Sequence, residues 1–228
     1  MSDTVHAIAT WLVPLIIAIV FHEVAHGLVA RRLGDPTAEQ MGRLTLNPVK
    51  HVDPVGTIIL PMVLAIAQAP IFGWAKPVPV RHDRLRNPRR DMILVALAGP
   101  GMNFLLAILA TALLALGLAL GRGEPLTVGG FIASNAFNFL LINIFLAVFN
   151  LIPLPPFDGG HVVEGLLPRP LAARFRSLGK YSLVILFALL LIVPLIWPEA
   201  NIVAKAVTPI VNAIARLFLV VAGIAATH

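Results

Sequence analysis

No cysteine occurs in the 228 residues, which excludes both disulfides and thiolate metal sites. Charge is scarce too. Charged residues make up 12% of the chain, about half the share of an average soluble domain. Against this stand an apolar content of 58% and a mean hydropathy of +0.91. The apolar residues come in long blocks, the pattern of membrane-spanning helices. A water-soluble fold of this composition would expose much of that surface. The N-terminal MSDTVHAIAT lacks a basic n-region and a small-residue cleavage site, so no removable signal peptide is expected. No internal repeat or low-complexity linker divides the chain, and residues 1–228 read as a single integral-membrane domain.

The net charge of +6 raises the question of nucleic acid. The basic residues, however, sit beside apolar blocks instead of forming a soluble basic face, which is how cytoplasmic flanks of membrane helices look. Nucleic acid is therefore not an expected partner; the lipid bilayer is.

Five apolar segments are expected: 5–30, 55–72, 92–120, 130–151, and a final pair within 181–224 broken around Pro194, Pro198 and Asn201. The fold class is an all-α polytopic membrane protein with about five to six membrane-embedded helices. Three basic stretches set its orientation: Arg31 to Lys50, Lys76 to Arg90, and Arg169 to Lys180. The positive-inside rule puts all three in the cytoplasm. Segment 55–72 then has both flanks inside, and it is shorter than the roughly 20 residues a span needs. It is expected to be re-entrant or partly inserted, the competing reading being a full span with one basic loop outside. The outer loops fall near 121–129 and 198–205. The segments GRLTLNP (42–48) and GWAKPVPV (73–80) carry β-type residues bounded by Gly and Pro, and read as short β elements or loops near the cytoplasmic face.

The first span contains His22-Glu23-Val24-Ala25-His26. Residues four apart share a helix face, so both imidazoles can reach one zinc ion, with Glu23 between them as a general base. Each such ionisable group costs roughly 2.5–3.5 kcal/mol mid-helix in a bilayer, which argues for function over accident. The bland alternatives are a satisfied polar cluster and a proton relay. At 1.5 Å of rise per residue, His22 lies roughly 13 Å below Arg31. The site is therefore expected in the membrane, nearer the cytoplasmic side.

Three protein ligands and an open position make a catalytic zinc site. The run Asn150-Leu151-Ile152-Pro153-Leu154-Pro155-Pro156-Phe157-Asp158-Gly159-Gly160 follows the fourth span. Its prolines prevent regular helix, and unwound backbone at this depth is tolerated where it lines a cavity. Asp158 is thus the leading third ligand, with a capping role as the bland reading. Asp53, His161 and Glu164 are the other candidates. Asp53 looks more like a turn residue, and His161 and Glu164 could instead orient the ligands.

An H-E-x-x-H in one apolar helix, paired with N-x-x-P-x-P-P-x-D-G-G at the end of a later one, resembles the site-2 protease family of intramembrane zinc metalloproteases. The likeness covers most of the chain, and GRLTLNP, GWAKPVPV and AGPGMN (98–103) look like a compact prokaryotic subgroup. The resemblance implies one Zn2+ per chain held by His22, His26 and Asp158, with Glu23 as base and Asn150 helping to hold the substrate strand. It also implies transmembrane protein substrates and a multi-pass location in a prokaryotic cell membrane. Asn103 offers a hydrogen bond to substrate or to a neighbouring helix, packing being favoured. Two departures stand out: the gap between the motifs is longer than in minimal members, and Phe157 stands where the family more often has leucine. No PDZ-like or CBS-like domain is recognisable, which puts familiar modes of regulation in doubt. The rival reading is a metal-ion transporter or channel using the same residues, but the later spans offer asparagines and no central carboxylate.

Overall fold

A computed structural model describes residues 2–66, 73–121, 127–188, 192–196 and 202–224. Among the described residues, three helices are long and apolar enough to cross a membrane. The first, α1 (Ser2–Arg32), runs on through Pro14 and ends on Arg31 and Arg32. A short α2 (Thr37–Gln40) follows. Next come a wide helical turn at Pro54–Ile59 and α3 (Leu60–Ile66). The second long helix, α4 (Pro88–Gly121), starts four residues before the apolar block does. Pro88 suits the first helical position, where its missing N–H has no partner to lose, and Asp91 reaches back to accept the Asn87 amide at 2.8 Å. The third, α5 (Val128–Asn150), is capped by Thr127, whose side chain accepts from the Gly130 amide.

After a proline-rich turn come α6 (Asp158–Leu166) and α7 (Arg169–Leu178). The final apolar stretch is built from α8 (Ser182–Phe187), α9 (Val193–Ile196) and α10 (Ile202–Val221). Pro194 falls within α9, whereas Pro198, Asn201 and most of the two predicted outer loops lie outside the described residues. The same holds for residues 67–72, so segment 55–72 is described only to Ile66.

Helices α4 and α5 form an antiparallel pair packed along their length. At one end the contact is backbone to backbone: a Cβ on Gly117 would come within 2.6 Å of the Ala133 nitrogen, and one on Gly121 within 2.6 Å of the Gly130 nitrogen. Small residues serve membrane helices this way, because only close approach yields packing energy where lipid already satisfies apolar groups. The largest core cluster runs along this seam through Ala107, Ala110, Leu114, Ala136, Leu140 and Ile144, and is closed by Val207 and Ala215 of α10.

Helix α1 packs against both. Its C-terminal half lies beside the start of α4 and the end of α5, which gathers the three basic stretches at one end of the bundle. The Arg86 amide bonds Leu33 O at 3.1 Å and Arg89 Nε bonds Gly165 O at 2.8 Å across that rim.

No strand occurs among the described residues. GRLTLNP and GWAKPVPV are irregular segments tied to the rim by single hydrogen bonds. The Lys76 amide reaches His51 O, Arg43 Nη2 reaches Lys76 O, and the Arg81 amide reaches the Asp35 carboxylate. Prolines 77 and 79 have no N–H to give to a ladder, which explains why β-type side chains do not make a strand here.

Candidate active site

His22 and His26 come from adjacent turns of α1 and are 7% and 8% exposed. Their rings meet edge to face with centroids 4.6 Å apart. Each Nδ1 is spoken for. That of His22 lies 2.6 Å from Asn103 Oδ1, and that of His26 lies 2.7 Å from the Val95 carbonyl. A carbonyl oxygen only accepts, so the protons sit on Nδ1 and the Nε2 lone pairs are left bare.

Asp158 opens α6, at the end of a turn that reverses the chain. A Cβ on Gly159 would lie 2.3 Å from Leu151 O, and one on Gly160 2.8 Å from the Pro155 nitrogen, so the turn closes only over glycine. The Pro155–Pro156 peptide is cis. Asp158 Oδ2 comes to 3.2 Å from His22 Nε2 and 3.4 Å from His26 Nε2, and the two Nε2 atoms are 3.0 Å apart.

With both rings neutral, three lone pairs therefore face one another, and Asp158 Oδ2 is buried without a hydrogen-bond partner. Left alone, such an arrangement is repulsive. It suits a shared cation: ligands at 2.0–2.1 Å in tetrahedral geometry lie about 3.3–3.4 Å apart, close to the separations found. Among the described residues this is the one group of three side chains spaced to hold a metal ion.

Glu23 points to the neighbouring side of α1, where its Oε2 accepts the Val78 amide at 2.8 Å. Asn103 is fully buried. Its Nδ2 donates to Asn143 Oδ1 at 2.9 Å and to the Ala18 carbonyl at 3.3 Å, tying α1, α4 and α5 together at the level of His22. Asn150, half-buried at the end of α5, donates to the Leu146 carbonyl of its own helix.

The other ligand candidates lie elsewhere. Asp53 accepts the Val55 and Gly56 amides and so starts a helical turn. Glu164 pairs with Arg176 at 2.7 Å, with His161 4.0 Å away, and neither bonds Asp158.

One residue of the site carries no chemistry of its own. A Cβ on Gly99 would sit 2.3 Å from His26 Nε2 and 2.6 Å from His22 Nε2. Helix α4 can pass beside the histidine pair only because residue 99 is glycine. The signal lies in AGPGMN, since glycine inside an apolar helix often marks close approach.

The sequence pattern of peptidase family M50 matches residues 10–128 and 121–193. The chain belongs to peptidase family M50. An M50 peptidase of this kind is a zinc metalloprotease of the site-2 type, and the triangle of acceptors is a fitting place for the metal. The chain is 38% identical over 195 residues to a Bacillus subtilis protein named "Putative zinc metalloprotease YwhC", covering 83% of this chain and 85% of that one. Two mycobacterial proteins, both called Rip2, carry the same designation. The one from Mycolicibacterium smegmatis is 33% identical over 187 residues, and the one from Mycobacterium tuberculosis H37Rv 35% over 188. In each case 82% of this chain is covered, against 66% and 67% of the relative. No solved structure matches the chain at a significant level. None of these comparisons supports the transporter reading.

Proposed function

We propose that this peptidase hydrolyses peptide bonds within membrane-spanning segments of other proteins. The observation that carries the reading is the convergence of His22 Nε2, His26 Nε2 and Asp158 Oδ2 part-way along a helix of membrane-spanning length. A soluble substrate would have no reason to be met at that depth. A segment already in the bilayer, entering laterally between helices, would.

In this reading His22, His26 and Asp158 hold one zinc ion, which supplies Lewis-acid polarisation of the scissile carbonyl and a more acidic water. Glu23 accepts the proton of the attacking water and later delivers it to the leaving amine. Asn103 positions His22 instead of touching substrate, since all of its polar atoms face other helices. Asn150 holds the extended substrate backbone next to the turn that presents Asp158. Residues 1–228 act as one multi-pass domain of a prokaryotic cell membrane, with five to six embedded helices. The gathering of three basic stretches at the α1 C-terminus supports a cytoplasmic placement of that end. Helix rise then puts His22 roughly 13 Å below it.

The test is Glu23→Gln, incubated in detergent with a labelled single-span substrate. Cleavage falls by several orders of magnitude while bound zinc, read by elemental analysis, stays at one per chain. Cleavage at the wild-type rate would remove Glu23 from the role of base.

A further inference from the structure

At the basic end of the bundle, α6, α7 and the start of α4 line a half-open cavity of about 380 Å³, within the roughly 300–1,000 Å³ range of small-molecule sites. It is separate from the acceptor triangle: α6 carries Asp158 on its first turn and turns Glu164 and Gly165 into the cavity on its last. The walls hold three guanidinium groups, those of Arg89, Arg169 and Arg176, against the single carboxylate of Glu164.

Two of those three are partly engaged. Arg176 Nε donates to Glu164 Oε1 at 2.7 Å, and Arg89 donates through Nε and Nη2 to the carbonyls of Gly165 and Leu167. Arg169 has no ion pair or hydrogen bond among the described residues. Three cations line the cavity against one carboxylate, which only Arg176 meets; the excess of positive charge is one that a bound anion neutralises, and planar guanidinium forks match phosphate oxygens.

Helix α7 says where that anion comes from. Its cavity face is Arg169, Ala172, Ala173 and Arg176, the i, i+3, i+4, i+7 pattern of one side of a helix. The two alanines leave the room between the arginines. Leu171 and Leu178 fall on the opposite side and are 48% and 39% exposed, and Leu166 on the preceding turn is 70% exposed. The exposed Arg174 borders those leucines, and an arginine-rich helix with a bare leucine stripe lies in the membrane interface. The apolar face of α7 therefore sits at the depth where lipid headgroups begin, with the cavity beside it.

We infer that this cavity is a binding site for the phosphate of an anionic glycerophospholipid. The headgroup enters between α6 and α7 and its phosphate lies against Arg169 and Arg176, while its acyl chains pass around α7 to the side that carries Leu171 and Leu178. The site is independent of catalysis, so its test does not depend on the protease reading.

Full-length protein is purified in zwitterionic detergent, exchanged into mixed phosphatidylglycerol and phosphatidylcholine, and its retained lipids are counted by native mass spectrometry. Wild type retains phosphatidylglycerol in preference. Arg169→Gln, which breaks no existing pair, lowers that retention about fivefold, as expected for about 1 kcal/mol per arginine at a membrane surface. Lys50→Gln, an exposed basic residue elsewhere on the rim, leaves it unchanged. Leu171→Ser lowers it as well, and melting temperatures in detergent establish that each variant is folded. Equal retention by wild type and Arg169→Gln overturns the inference. So does loss of the lipid adduct to millimolar inorganic phosphate with no effect of Leu171→Ser, which would make the ligand a soluble phosphate.

Discussion

The Val78 backbone amide donates to Glu23 Oε2 across 2.8 Å, joining the loop at the rim to the acidic side chain of the metal motif. The loop has little choice of donor. Pro77 and Pro79 have no N–H, so Val78 offers the one amide in that tripeptide. Its side chain is buried beside Gly27, where a Cβ would come within 2.9 Å of Val78 Cγ1. The contact fixes the Glu23 carboxylate on the flank of α1 that the loop covers.

Val78→Pro deletes that donor while keeping an apolar residue. A hydrogen bond to a charged group contributes about 1.5–3 kcal/mol, so kcat/KM falls roughly ten- to a hundredfold. Zinc content stays at the wild-type level, because neither histidine nor Asp158 touches Val78. A parallel loss of zinc in elemental analysis would place the damage in the metal site and sink the assignment.

Gly99→Ala tests the closeness of α4 to the histidines. The added methyl meets His26 Nε2 at 2.3 Å and His22 Nε2 at 2.6 Å, too near for a flexible adjustment because both rings are pinned through Nδ1. Zinc affinity, measured by competition with a chromophoric chelator, drops at least about tenfold, as for other disturbances around a metal site. Gly101→Ala is the control, since a Cβ there meets nothing within 4 Å, and it leaves affinity as it was.

Asn103→Leu removes the acceptor that keeps the His22 proton on Nδ1 and strands Asn143 Oδ1 in a buried position. Zinc affinity falls about 10- to 100-fold. The same chelator titration on Asp158→Ala supplies the benchmark for outright loss of a proposed ligand, and Asn103→Leu retains more metal than that variant. Affinity equal to wild type would show that the tautomer does not need Asn103.

Asp35 governs a stability effect away from the site. Burial pushes its carboxyl up, but hydrogen bonds from the Thr37 side chain and from the Arg81 and Thr37 amides, with Arg84 nearby, bring it below the ordinary carboxylate value. A group lowered in the folded state contributes stability above its unfolded value near 3.9 and loses that contribution as pH falls through the folded value. Asp35→Asn therefore melts at a lower temperature than wild type at pH 7, and the gap narrows below about pH 4. A gap that is constant from pH 7 to pH 3, followed by circular dichroism in detergent, would mean that the charge of Asp35 is not what matters.

The histidine pair and the helix beneath it were legible in the sequence because both are local. Apolar runs decide that a segment spans, and four residues of spacing put His22 and His26 on one face whatever else the chain does. Asp158 stood out on the same local ground, as an acid displayed from a turn that prolines keep from becoming helix. The bias of Lys and Arg toward three stretches likewise points to one end of the bundle without reference to packing.

Tertiary structure decided what depends on segments far apart in the chain. It brought Asp158 to the histidines and left His161 and Glu164 beside Arg176, although all three lie within seven residues. Helix α6 turns 100° per residue, so neighbours in sequence face different sides. It turned GWAKPVPV from a candidate strand into a loop in which the Val78 amide, between two prolines, holds Glu23. It also gave Gly99 its importance, since the cost of a missing or added methyl is set by what another helix places beside it. Composition and spacing establish which chemistry the chain carries. Close approach between helices, which no single segment encodes, decides which side chains share it.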